Sequence, residues 1–188
     1  LWLAFALFVD GVDGTLARAV NVKQNTPEID GAILDNIIDY LNYVVVPVFI
    51  FYSLGMAPEP YLLLSCVAIL LVSCFTFTNT NIKTDDFYFS GFPAIWNIVV
   101  LYFYILESSE FTNFIFVILF CVLTFIPFKY VHPFRVVEFR KITLMITCIW
   151  MITTTILLFD VSSDPVFISA NFVIWLITNI YFAGNILF

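Results

Sequence analysis

GAILDNIIDYLNYVVVPVFIFYSL, residues 31–54, decides the fold. It is an apolar run long enough to cross a bilayer once as a helix, which takes about 20 residues. It also lacks the strict polar/apolar alternation of a barrel strand. Similar runs recur on either side, so helices are expected at 1–18, 32–54, 61–79, 92–106, 111–128, 142–159 and 166–188. These seven spans take up nearly all of the 188 residues and leave no length for a second domain. The chain is 62% hydrophobic and 11% charged, against about 45–50% and 25% in an ordinary soluble domain. A soluble globular class is therefore excluded. The expected architecture is all-α, a polytopic transmembrane helical bundle forming one membrane domain over residues 1–188.

Positive charge orients such a bundle. Arg18 and Lys23 lie between the first two spans, Lys83 between the third and fourth, and Lys129, Arg135, Arg140 and Lys141 between the fifth and sixth. The alternate loops hold Glu59, Glu107, Glu110, Asp160 and Asp164 and no cation. The cationic side is assigned as cytoplasmic. The opening LWLAFALFV starts inside an apolar run without a charged segment before it, so an upstream helix is expected, giving eight spans in all. Cys66, Cys74, Cys121 and Cys148 lack the close pairing of metal or redox motifs and read as buried or lipid-facing thiols. There is no basic patch for nucleic acid.

Asp10 and Asp13 close the first span, and Asp35 and Asp39 lie early in the second. At 3.6 residues per turn, positions 10, 13 and 17 share one stripe, as do 31, 35 and 39. Two facing helices would bring the four carboxylates together, with Gly14, Ala17 and Gly31 keeping the surface open. The positive end of the second helix favours one or two of these charges. Four at this spacing would repel one another or raise each other's pKa. A divalent cation removes the conflict, and all-oxygen ligands suit Mg2+ or Mn2+ rather than zinc.

The residues DGVDGTLAR (10–18) and GAILDNIID (31–39) form the pattern D-x-x-D-G-x-x-A-R, then G-x-x-x-D-x-x-x-D. This pattern resembles the signature of the CDP-alcohol phosphotransferases. The 12 residues between Arg18 and Gly31 exceed the family's usual spacing. That longer loop with Pro27, together with YVHPFR (130–135), is similar to the bacterial, choline-using subgroup. The resemblance implies condensation of CDP-diacylglycerol with choline to give phosphatidylcholine and CMP, in a bacterial inner membrane with the site facing the cytoplasm. It implies a pair of Mn2+ or Mg2+ ions on Asp10, Asp13 and Asp35, with Asp39 at the outer edge and also the general base. Gly14, Ala17 and Gly31 would let the nucleotide lie close to the backbone, and Arg18 would touch phosphate. Several synthases of this kind are homodimers.

Choline would be held by aromatic faces through cation–π attraction, and Tyr40 and Tyr43 follow Asp39 directly. In the fifth-to-sixth connection, Arg135 is a candidate for substrate phosphate, with His132 adjusting the loop. Its plainer reading is topology and attraction to anionic headgroups. Asp85 and Asp86 read as a solvated turn balanced by Lys83. The main rival within the family is another acceptor: serine, inositol phosphate or glycerol phosphate. A phosphorylated acceptor would call for more cations near Asp39 than the sequence supplies. A prenyltransferase would place its Asp-rich motifs far apart, and an ion-coupled transporter would show repeat halves and midplane carboxylates.

Overall fold

A computed structural model describes residues 2–79, 88–126, 129–131, 140–159, 161 and 163–184. The chain forms two compact units. One comprises Leu1–Thr80 and Ala94–Val122, the other Asn81–Pro93 and Leu123–Phe188.

The first unit opens with α1 (Trp2–Ala19). Asn21, at φ 49°, turns the chain into the short α2 (Val22–Asn25); asparagine is among the few residues that adopt the left-handed region readily. α3 (Gly31–Tyr40) then runs without a break through a π segment (Leu41–Val45) into α4 (Val46–Ser53). The π turn has a local cause. Pro47 lies inside this long helix, lacks an N–H, and its ring crowds the carbonyl four residues back, that of Tyr43. The helix accommodates it by widening, and the Val46 N–H bonds the Leu41 carbonyl. α5 (Glu59–Thr78), α6 (Trp96–Ile105) and α7 (Glu110–Leu123) complete the unit. Val44, Phe51 and Ile69 are fully buried, with Trp96 and Val117 almost so.

Two polar side chains inside this core fasten one segment to another. The Trp96 indole N–H donates to Ser73 Oγ at 2.8 Å, and Asn113 Nδ2 donates to the Met56 carbonyl at 2.9 Å. Small and polar residues at helix interfaces with large apolar ones outside are the pattern of helices packed in lipid. Phe49, Leu63 and Leu71 accordingly point outward.

In the second unit, β1 (Tyr88–Ser90) pairs antiparallel with β2 (Lys129–Val131), Phe89 opposite Tyr130. Gly91 follows at φ 85°, and a Cβ there would sit 2.4 Å from the Thr124 carbonyl oxygen, so only glycine fits. α8 (Arg140–Phe159) and α9 (Pro165–Gly184) form an antiparallel hairpin. Its seam is polar: Asn171 Nδ2 donates to the Thr153 carbonyl, and the buried Trp175 indole donates to Thr154 Oγ1, each at 3.0 Å.

The helical expectation holds, with one short strand pair added. Among the described residues, four helices are long and apolar enough to cross a bilayer: Gly31–Ser53, Glu59–Thr78, Lys141–Phe159 and Pro165–Ala183. The chain is thus an integral membrane protein. α1 has the length but carries Asp10, Asp13 and Arg18. α6 and α7 are shorter than the spans expected at 92–106 and 111–128, at 10 and 14 residues. Gly91 and Pro93 delay the start of α6. Ile126, preceding Pro127, is steered away from helical geometry and closes α7 early. Cys66 is buried, Cys121 half-buried, and Cys74 and Cys148 exposed; all four are free thiols.

Candidate active site

The site lies where α1 meets the α3–π–α4 helix. Asp30 caps α3, its Oδ1 accepting from the Ala32 and Ile33 N–H groups at 2.9 and 3.2 Å. That cap fixes the start of the helix and sets the stripe Gly31, Asp35, Asp39. Opposite it, α1 presents Asp10 and Asp13.

Asp10, Asp13 and Asp35 each offer one carboxylate oxygen, and these three atoms lie within 4.8 Å of one another. Two oxygens bound across one Mg2+ lie about 4.2 Å apart, twice a ligand distance of about 2.1 Å. Neighbouring oxygens on an octahedral ion lie closer, about 3 Å apart, so the trio is gathered around one point and draws in further to close on a single hard cation. Asp10 and Asp13 are half-buried and Asp35 is exposed, so the point of convergence is open to solvent on the α3 side. The donor set is all oxygen and anionic, which fits Mg2+ or Mn2+ and not a soft metal.

Asp39 is not among the three. One turn deeper than Asp35, it is half-buried and its Oδ1 is shielded from solvent. Asp39 lies on the same helix between Asp35 and the π segment on which α1 packs.

Tyr43 adds a partner that spacing alone did not disclose. Its hydroxyl donates to Asp10 Oδ2 at 2.7 Å. Tyr40 goes elsewhere: its hydroxyl donates to the Leu70 carbonyl at 2.9 Å, and its ring meets Phe77 edge-on at 5.7 Å. Residues 39 and 40 differ by about 100° around the helix, which turns Tyr40 toward α5 and away from the carboxylates. The signal for Tyr43 was its register, four residues past Asp39, combined with Pro47 in the same helix.

Arg18 folds back along α1. Its Nη2 donates to Thr15 Oγ1 at 3.1 Å, and a Cβ at Gly14 would lie 3.3 Å from its Nη1. Gly14 thus makes room for the guanidinium. A Cβ at Gly31 would meet nothing within 4 Å, and Ala17 is exposed, so the surface beside the carboxylates is open. Arg135 and His132 lie outside the described residues, as do Lys83, Asp85 and Asp86.

The profile of the CDP-alcohol phosphatidyltransferases matches residues 1–177. A protein of Pseudomonas aeruginosa named phosphatidylcholine synthase is 41% identical over 185 residues, 98% of this chain and 76% of that protein. A phosphatidylcholine synthase of Legionella pneumophila is 47% identical over 153 residues, 79% of this chain and 60% of the relative. One of Borreliella burgdorferi is 45% identical over 143 residues, 76% of this chain and 61% of the relative. The chain thus spans about three-fifths of the length of the last two. No solved structure matches. The family is in general dependent on divalent metal, in keeping with the carboxylate trio. From the aspartates of α1 and α3 and from these matches, the chain is a phosphotransferase and belongs to the CDP-alcohol phosphatidyltransferase family.

Proposed function

We propose that this enzyme condenses CDP-diacylglycerol with choline, forming phosphatidylcholine and releasing CMP. The convergence of Asp10, Asp13 and Asp35 on one point carries this reading, and the relatives' shared name supports the product. Two Mn2+ or Mg2+ ions, held by these three residues, would neutralise the pyrophosphate and the charge that builds on CMP as it leaves.

The chain's own groups do the rest. Gly31 and Ala17 leave room for the nucleotide along the helix backbones, Gly14 seats Arg18, and Arg18 and Arg135 contact phosphate. Asp39, one turn along the helix from Asp35, serves as general base. The choline oxygen bonds to the phosphorus next to the lipid, the bond from that phosphorus to CMP breaks, and the hydroxyl proton passes to Asp39. The whole chain serves as one catalytic domain, its site facing the cytoplasm of a bacterial inner membrane, within a homodimer.

The test supplies membranes carrying the full-length protein with CDP-diacylglycerol, Mn2+ and labelled choline, serine, inositol phosphate or glycerol phosphate. Label from choline enters phosphatidylcholine with matched CMP release. Label from another acceptor instead would reassign the alcohol, and no CMP with any of the four would refute the transferase reading.

A further inference from the structure

We propose that Tyr43 is the positioning residue of the carboxylate site, its hydroxyl holding Asp10 in the orientation that binds a divalent cation with Asp13 and Asp35. This rests on the metal-site reading above and adds a residue and a cause to it.

Asp10 and Tyr43 are 33 positions apart, and their 2.7 Å hydrogen bond ties α1 to the long helix. The bond occupies one lone pair of Oδ2 and leaves the carboxylate further acceptor sites for an ion. Ligating carboxylates are themselves usually held by such an outer hydrogen bond, which fixes their orientation.

The backbone explains how Tyr43 gets there. In a regular α-helix each step of four residues overshoots a full turn by about 40°, so a residue four past Asp39 would drift off the Asp35–Asp39 stripe. Residues 41–45 instead form a π turn, which winds less per residue and keeps Tyr43 nearer that stripe. Pro47 enforces the wider turn by withholding the N–H that the Tyr43 carbonyl would otherwise receive. α1 also packs on this π segment, so the widened turn is both the platform for Asp10 and the source of its hydrogen bond. Pi turns inside α-helices are frequent at functional sites for this reason, because they re-aim one side chain without ending the helix.

Tyr43→Phe keeps the ring and removes the hydroxyl; Pro47→Ala lets the helix rewind and swings the hydroxyl away. Mn2+ binding to the purified full-length protein is measured by electron paramagnetic resonance of the free ion, without substrate. Wild type binds, and Tyr43→Phe binds about ten-fold or more weakly. The Mn2+ concentration for half-maximal rate rises by the same factor, while the choline KM stays unchanged. Pro47→Ala weakens Mn2+ binding in the same direction, and the double variant is no weaker than the more affected single one, because both act through one bond. Unchanged Mn2+ binding in Tyr43→Phe, a raised choline KM with normal Mn2+ dependence, or effects that multiply in the double variant would each overturn the positioning role. Wild type that binds no Mn2+ would instead overturn the metal-site reading beneath it.

Discussion

Neutralising Asp35 should make the metal-free protein more stable and the metal-loaded protein less so. Three carboxylate oxygens within 4.8 Å of one another form three repelling pairs, and Asp35→Asn removes two of them. At that separation each ionised pair costs about 1 kcal/mol in a water-like dielectric and about 3 kcal/mol at the effective value near a protein surface. Asp35 is exposed, so the lower figure applies and the relief is about 2 kcal/mol. For a chain of this size that raises the unfolding midpoint by roughly 4–8 °C. A bound ion reverses the order. Wild type in Mn2+ at a thousandfold excess over its dissociation constant gains about 4 kcal/mol, and the variant, lacking one of three ligands, gains little. The assay is thermal unfolding followed by far-ultraviolet circular dichroism in detergent, each protein in EDTA and in Mn2+. In EDTA the variant melts above wild type; in Mn2+ it melts below. A variant that melts at or below wild type in EDTA and still shows the full Mn2+ shift would refute the view that these carboxylates repel one another and share an ion.

Asp39→Asn abolishes turnover while retaining CDP-lipid binding, measured by release of CMP alongside a binding isotherm; loss of both removes its assignment as base. Gly91→Ala forces a Cβ to 2.4 Å from the Thr124 oxygen at φ 85°, and lowers the unfolding midpoint by several degrees at least, as the left-handed penalty alone is about 1–2 kcal/mol. Thr154→Val removes the hydroxyl to which the buried Trp175 indole N–H donates, at a cost of about 1–3 kcal/mol. Adding Trp175→Phe to that change costs less than the two single effects summed, read from the same melts.

Hydrophobic run length was enough to find the helices, because a bilayer-spanning segment announces itself through composition. The approach of Asp10, Asp13 and Asp35 was legible because α1 and the first ten residues of the next helix keep regular winding, so stripes drawn at 3.6 residues per turn meet in space. Legibility failed where winding or pairing depends on distant or irregular backbone. Tyr43 read as an aromatic face for a cation, and its bond to Asp10 depends on the π turn that Pro47 imposes. Tyr40, adjacent in sequence, serves the packing of α3 on α5 through Leu70 and Phe77, a partnership invisible to local periodicity. The early end of α7 was foreshadowed by Pro127, yet apolarity continuing through Phe125 and Ile126 masked it. The pairing of Tyr88–Ser90 with Lys129–Val131 joins two loops about forty residues apart, for which three-residue segments carry no pattern.

The indole partnerships give each unit a built-in optical reporter. Trp96 is enclosed beside Ser73 in the unit that holds the aspartates, while Trp150 and Trp175 are enclosed in the other. Emission from chains retaining one indole at a time therefore separates the loosening of the carboxylate-bearing half from that of the α8–α9 hairpin, and tells which half a cation stiffens.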